Sequence, residues 1–202
     1  MTLYQFKLPK QERVPAVVPV VPGLTIPFVA IFSLVLILFI HEFSHGVIAE
    51  MYGVRVKSFG ILYFLFIPIG AFVEIDDEKL EKLEGVKKFN IFAIASVMNL
   101  FTGVITLTLL RVFVTSFHIN IPSYALFTNS LISVILWFII LSISIALVNL
   151  LPIPGLDGYK MMLALEEMSS NRIVKLLIKN TREILGIIFF LIIVLSFIAI
   201  IF

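Results

Sequence analysis

The sequence contains no cysteine, which excludes disulfide bonds and thiolate metal ligands. Imidazole and carboxylate groups are therefore the side chains left to hold a transition metal. Charge is also scarce, since Asp, Glu, Lys and Arg make up 14% of 202 residues and the net charge is +2. The basic residues are dispersed through short polar segments, without the dense run that suits nucleic acid. We expect no nucleic-acid partner.

Hydrophobic residues, in contrast, are abundant: they make up 60% of the chain, and the mean hydropathy of +1.13 does not suit a soluble domain. A helix that spans a bilayer needs about 20 apolar residues. Stretches of this kind occur at residues 27–52, 89–113, 124–151 and 183–202. We predict an all-α multi-pass membrane protein with about four transmembrane helices in the lipid bilayer.

The segment after the first of these stretches, residues 53–75, has a different pattern. Its apolar residues largely alternate with period two, which indicates β-strands. A short spanning helix over Phe59–Val73 is the alternative, but Gly60, Pro68 and Gly70 disfavour it. We predict a membrane-associated β-hairpin or strand segment that packs beside protein, because irregular backbone at membrane depth must be covered.

The remaining segments complete a four-part organisation around a membrane core at residues 27–158. Residues 1–26 contain several prolines, and we expect them at the extracytosolic membrane surface. Residues 159–182 carry dispersed basic side chains and predict a cytosolic interfacial helix or helix pair, followed by a C-terminal transmembrane helix at 183–202. Of the 15 Lys and Arg residues, all but four lie on one side of this arrangement. The positive-inside rule makes that side cytosolic.

The first apolar stretch is interrupted by His41-Glu42-Phe43-Ser44-His45. On a helix, His41 and His45 lie one turn apart on one face and can bind a single zinc ion, with Glu42 placed beside them to act on water. An acidic residue at the centre of a spanning helix costs about 2.5–3.5 kcal/mol, and a divalent cation would compensate for it. The alternative is that these side chains only form packing hydrogen bonds between helices.

A catalytic zinc usually has three protein ligands, so a third must come from elsewhere. Asp157 is the best candidate, because it follows the third apolar stretch in a segment, Leu151–Gly158, that two prolines and two glycines prevent from being helical. Gly155 and Gly158 would allow the backbone to approach the site closely. Asp157 could also be the N-cap of a helix that begins near Tyr159, and both roles could coexist.

Other polar residues in or near the spans point less clearly to a function. Asn149, at the end of the third predicted helix, could hold a substrate carbonyl or an oxyanion, or bond a neighbouring helix. Asn99 is interpreted as structural. His118 is placed in an external loop far from the site, and Glu166 and Glu167 are interpreted as the solvated face of a polar helix.

Three motifs in this order resemble the site-2 proteases, the membrane-embedded zinc metalloproteases of regulated intramembrane proteolysis. They are His41–His45, Gly70-Ala71-Phe72-Val73, and Asn149-Leu150-Leu151-Pro152 with Leu156-Asp157-Gly158. The run from Val21 to Pro27 and Ser58-Phe59-Gly60-Ile61 are closer to the sterol-regulatory branch than to members with an inserted PDZ domain. The resemblance covers roughly residues 21–159.

The resemblance implies one zinc ion per chain, held by His41, His45 and Asp157, with Glu42 as the catalytic acid and base. It implies an endopeptidase that hydrolyses transmembrane protein substrates inside the membrane, with its active site toward the cytosolic side. Two departures matter. No PDZ-sized insert exists, and the family's small-residue motif appears as Ala95-Ser96-Val97-Met98-Asn99, which weakens the case for a role of Asn99.

We also expect Asn149, Gly70 and Phe72 to contact substrate. A substrate helix must unwind before it is cleaved, and the strand segment could then capture it as an added strand. Two alternatives to this function stay open. One is a membrane zinc protease of the prenyl-protein-processing kind, which takes a glutamate as its third ligand. The other is a non-catalytic zinc-binding membrane protein.

Overall fold

The computed structural model describes residues 27–64, 67–122, 124–125, 128 and 130–201. The predicted surface segment at residues 1–26 lies outside the described residues. The elements in chain order are α1 (Ala30–Met51), β1 (Val56–Phe64), β2 (Ile67–Ile75), α2 (Asp77–Glu81), α3 (Gly85–Ser116), α4 (Leu131–Asn149), α5 (Asp157–Met168) and α6 (Arg172–Ile201).

Within the described part of the chain, three helices are long and apolar enough to cross a membrane. They are α1, α3 and α4, with 22, 32 and 19 residues. This confirms the mostly helical, multi-pass character predicted from the sequence. The fourth predicted span, residues 183–202, belongs to α6 as far as Ile201, and its crossing of the membrane stays a prediction.

Among α1, α3 and α4, two helix starts differ most from the sequence prediction. Helix α4 begins at Leu131 and not at Tyr124, because Ser130 is its N-cap and accepts a hydrogen bond from the backbone N–H of Ser133 at 3.4 Å. Helix α3 begins at Gly85, before the predicted residue 89. Its polar first turn is joined to α5 by an ion pair, in which the Lys88 ammonium lies 2.8 Å from the Glu167 carboxylate.

The polar face of α5 also departs from the prediction, because Glu166 and Glu167 form ion pairs between helices instead of only facing solvent. Glu166 accepts a hydrogen bond from the Arg182 guanidinium at 3.2 Å, and that guanidinium lies over the Tyr159 ring at 4.9 Å. Arg182 is therefore buried against α5, and α6 continues through the predicted boundary between residues 182 and 183.

Helices α1, α3 and α4 pack closely through small residues. A Cβ on Gly103 of α3 would lie 3.0 Å from the side chains of Ser142 and Ile143 on α4. On the other side, the Ser33 hydroxyl of α1 donates to the backbone carbonyl of Val134 at 2.7 Å. Small residues and hydroxyl groups are typical of helix interfaces in membranes. In lipid the hydrophobic effect does not drive helices together, so they associate through close backbone packing and hydrogen bonds.

Strands β1 and β2 form an antiparallel hairpin in which Phe59 pairs with Val73 and Gly60 with Phe72. The strand prediction is confirmed, and the alternative helix over Phe59–Val73 is wrong. The hairpin packs on α1 mainly through β2. Gly46 allows this contact, since a Cβ there would lie 3.3 and 3.4 Å from methyl groups of Val56 and Val73. The hairpin is thereby held next to the His41–His45 motif.

Candidate metal centre

His41 and His45 are buried on one face of α1, with 4% and 7% of their surface exposed. Their ring centroids lie 5.0 Å apart, as expected for residues one helical turn apart. Residues 30–40 of α1 precede His41 and rise about 16 Å, roughly half of a hydrocarbon core of about 30 Å. The two imidazoles therefore lie near the middle of a candidate membrane span.

Asp157 meets both imidazoles from across the fold. Its Oδ2 atom lies 2.9 Å from His41 Nε2 and 3.1 Å from His45 Nε2. Each of the three residues offers one possible ligand atom, and these atoms lie within 4.8 Å of one another. Burial raises the pKa of the Asp157 carboxyl, but the hydrogen bonds from His41 and His45 outweigh it and hold that pKa well below its usual value. The carboxylate is thus ionised and available to a cation.

The break after α4 brings Asp157 to this position. Gly155 has a φ of +97°, a left-handed conformation that suits glycine. A Cβ on Gly158 would overlap the backbone of Leu150 and Leu151, so only glycine allows α5 to start this close to the end of α4. The N-cap of α5 is Leu156, without a side-chain capping bond, and Asp157 is the first helical residue. The interpretation of Asp157 as an N-cap is therefore wrong.

The far ring nitrogen of each histidine is held by α3. His45 Nδ1 lies 2.6 Å from the backbone carbonyl of Ile91. Because a carbonyl oxygen can only accept, His45 carries a proton on Nδ1. Loss of the Nε2 proton that faces Asp157 would leave a lone pair at Nε2 for a metal. His41 Nδ1 lies 3.1 Å from the Asn99 amide group, which is fully buried. Asn99, predicted from the sequence to be structural, thus contacts a candidate metal ligand. A lone amide in an apolar span is a signal for such a polar partner.

Glu42, the neighbour of His41 on α1, is held by the hairpin. Its Oε2 atom accepts a hydrogen bond from the backbone N–H of Val73 on β2 at 2.9 Å. Glu42, the two histidines and Asp157 line one cavity of about 640 Å³, together with residues 71–75 of β2 and the start of α5. The cavity gives the carboxylate of Glu42 access to any molecule bound beside the three converging side chains.

Comparison with known proteins agrees with this geometry. The model of peptidase family M50 matches residues 29–195, which include α1 and the segment that carries Asp157. The chain belongs to peptidase family M50. This confirms the resemblance to the site-2 proteases, a family of membrane metallopeptidases.

One relative shares a shorter region with this M50 chain. It is "Uncharacterized protein MJ0971" of Methanocaldococcus jannaschii, which is 40% identical over 77 residues. The match covers 35% of this chain and 19% of that protein, so the chain matches about a fifth of the relative's length. The printed name of the relative assigns no activity.

The M50 family is zinc-dependent, and the side chains of this member fit zinc. Bonds of about 2.0–2.2 Å at tetrahedral angles separate two ligand atoms by about 3.3–3.5 Å. The nitrogen–oxygen distances of 2.9 and 3.1 Å would need to widen by only a few tenths of an ångström. Two imidazoles and one carboxylate are also a ligand set that catalytic zinc uses, with a fourth position left open.

The other residues predicted for this M50 site are only partly brought together. Asn149, at the end of α4, has its Nδ2 atom 3.0 Å from His41 Nε2. Phe72 lines the same cavity as the three converging side chains. Gly70 instead lines a second, apolar cavity of about 410 Å³ between α1 and the hairpin. His118, beyond the end of α3, is absent from the residues that line the metal cavity, as expected.

Proposed function

We propose that this M50 member is an intramembrane zinc endopeptidase that hydrolyses peptide bonds of transmembrane protein substrates. The observation that carries the proposal is the convergence of His41, His45 and Asp157 beside Glu42, near the middle of a candidate membrane span. We assign the first three residues as zinc ligands, with one ion per chain, and Glu42 as the catalytic residue.

When bound, zinc polarises the substrate carbonyl and lowers the pKa of a water molecule to about 7. Glu42 accepts a proton of the attacking water and then delivers it to the leaving amine nitrogen, so that one peptide bond and one water molecule are replaced by a carboxylic acid and an amine. The N–H of Val73 holds the carboxylate of Glu42 at the cavity wall, where it needs little reorganisation before it receives the proton.

Asn149 is proposed to stabilise the carbonyl oxygen during attack. Its amide nitrogen is 3.0 Å from His41 Nε2 and so lies beside the position proposed for the substrate carbonyl. A preorganised N–H donor in a site without bulk water stabilises the developing negative charge more strongly than water does. In this role the Asn149 side chain contacts the reacting atoms without binding the metal.

Strand β2 supports the capture of an unwound substrate. The N–H of Val73 points toward Glu42 and therefore away from β1. Backbone groups alternate in direction along a strand, so Ala71 presents its N–H and carbonyl on the same free edge. A substrate segment added to this edge would regain the backbone hydrogen bonds that it loses on unwinding, and Phe72 would contribute to the walls of its binding cavity.

The cavity wall also supports access of water from the cytosolic side. Besides the catalytic group it includes Glu74, Asp77 and Lys160, which are charged and belong to the segments that the positive-inside rule places in the cytosol. We therefore place the active site within the membrane, toward the cytosol. Water for hydrolysis reaches it along these charged side chains.

The test combines zinc analysis of the purified protein with cleavage of a candidate transmembrane substrate. Wild-type protein should contain about one zinc ion per chain and cleave the substrate. Glu42→Gln should keep the zinc and lose about 10²–10⁴-fold in cleavage rate, because the group that transfers the proton is gone. If Glu42→Gln cleaves the substrate as fast as wild type, the cleavage comes from a contaminating protease and the protein is non-catalytic. Asp157→Ala tests the prenyl-processing alternative, in which a glutamate is the third ligand, because this substitution should strip zinc only if Asp157 is the third ligand.

A further inference from the structure

We propose that Asn99 is a positioning residue that selects the zinc-binding tautomer of His41. Its side-chain oxygen would accept a hydrogen bond from the Nδ1–H of His41 and so leave the lone pair of Nε2 for the metal. This inference rests on the proposed function, because it assumes that His41 binds zinc through Nε2.

The first observation is an unpaired oxygen. Asn99 is 0% exposed, its Nδ2 atom lies 3.1 Å from His41 Nδ1, and its Oδ1 atom is buried without a hydrogen-bond partner in the described part of the chain. A buried polar atom without a partner costs about 1–3 kcal/mol. The nitrogen and oxygen of an amide have nearly the same shape, so the side chain can rotate by half a turn without new packing.

Rotation of the amide would resolve a conflict between two hydrogen-bond donors. With zinc at Nε2, a neutral imidazole must carry its proton on Nδ1, and the amide nitrogen of Asn99 would then face another donor at 3.1 Å. With Oδ1 in that position, the contact becomes a hydrogen bond from His41 to Asn99. The oxygen gains a donor and the conflict between donors is removed, while the amide nitrogen takes the position that the oxygen leaves.

The second observation is that α3 also provides a hydrogen-bond acceptor for the other histidine, His45. The backbone carbonyl of Ile91, also on α3, lies 2.6 Å from His45 Nδ1 and fixes the same tautomer there. Helix α3 would thus supply one oxygen acceptor to each imidazole. Acceptors of this kind orient histidine ligands and raise their basicity, and their loss typically weakens metal binding about 10- to 100-fold.

The first experiment measures zinc affinity by competition with a chelator in detergent-solubilised protein. Asn99→Leu has a similar volume without an acceptor and should bind zinc about 10- to 100-fold more weakly than wild type. Asn99→Asp keeps an oxygen beside Nδ1 and should bind at least as tightly as wild type. Ser142→Ala is the matched control, because this hydroxyl of α4 is also buried and has no hydrogen-bond partner among the described residues. It should leave the affinity unchanged.

A second measurement needs no substitution at the metal centre. The chain has three histidines, so ¹⁵N-labelled histidine gives NMR signals from three rings, and His118→Gln removes the one that is remote from the site. In the zinc-loaded wild type, His41 should show a hydrogen-bonded proton on Nδ1. A His41 ring with its proton on Nε2 would overturn the proposal.

The outcomes also separate this inference from the proposed function. If the wild type binds zinc and Asn99→Leu binds it equally well, the positioning role of Asn99 is refuted while the zinc site stands. If Asn99→Asp is as weak as Asn99→Leu, the acceptor is not what matters and the inference again fails. A wild type that binds no zinc refutes the zinc site itself, and Asn99 loses its role with it.

Discussion

The backbone N–H of Val73 donates a hydrogen bond of 2.9 Å to Oε2 of Glu42 and thereby joins the free edge of β2 to α1. The hairpin and the His41–His45 motif are separate in sequence, yet this contact makes them walls of one cavity. The edge proposed to receive the substrate is thus in direct contact with the group proposed to move the proton. Substitutions on this edge are therefore expected to affect substrate binding and proton transfer together.

Proline at position 73 tests this relationship. Val73→Pro removes the N–H that holds Glu42 and blocks strand addition, so cleavage of a transmembrane substrate should fall by at least about 10-fold with zinc content unchanged. Ile61→Pro is the matched control, because Ile61 pairs with Ala71 and its N–H points to the outer edge of β1 by the same alternation. Phe72→Pro should also impair cleavage while zinc is kept.

Equal loss of zinc and cleavage in Val73→Pro would count against strand capture, since it would indicate a disturbed metal centre. Equal loss of cleavage in Ile61→Pro would show that general damage to the hairpin, and not its inner edge, is responsible. Metal analysis and cleavage assays on the same preparations distinguish these cases.

Removal of the third ligand should release the metal. Asp157→Ala leaves two imidazoles, and its zinc affinity should fall by more than the 10- to 100-fold typical of an outer hydrogen-bond partner. Asp77→Ala is the control, because Asp77 lines the same cavity and is not among the three converging side chains. Chelator competition measures both variants, and an Asp157→Ala protein that retains zinc at wild-type affinity would refute the ligand assignment.

Much of this architecture could be predicted because its signals are local. The spacing of His41 and His45 and the period-two pattern of residues 53–75 each depend on one element, and both are found as expected. The contact of Asn99 with His41 depends on how α3 packs against α1, which the sequence pattern does not contain. The same holds for Glu166 and Glu167, whose basic partners lie on α6 and α3.

Gly158 is expected to be as necessary for zinc binding as the ligand residues are. In Gly158→Ala the new methyl group would overlap the backbone of Leu150 and Leu151, and overpacking of this kind typically costs about 1–3 kcal/mol. The start of α5 must then shift and carry Asp157 away from the histidines. Gly186→Ala is a matched control, since a Cβ there meets nothing within 4 Å.

Zinc affinity and thermal unfolding measure both glycine variants. Gly158→Ala should lower the zinc affinity and the unfolding temperature, while Gly186→Ala should leave the affinity unchanged. If Gly158→Ala binds zinc as tightly as wild type, the close approach of α5 to the end of α4 does not position the third ligand.

Asn149 should affect the rate and not the metal. Asn149→Ala removes the amide N–H beside the carbonyl position, and loss of such a donor typically lowers kcat about 10²–10³-fold. Zinc content should stay at the wild-type level, because the amide is not a ligand. Asn90→Ala is the control, since the Asn90 amide donates to the Tyr52 hydroxyl and does not line the metal cavity. A fall in zinc affinity equal to the fall in kcat would instead assign Asn149 to the support of His41.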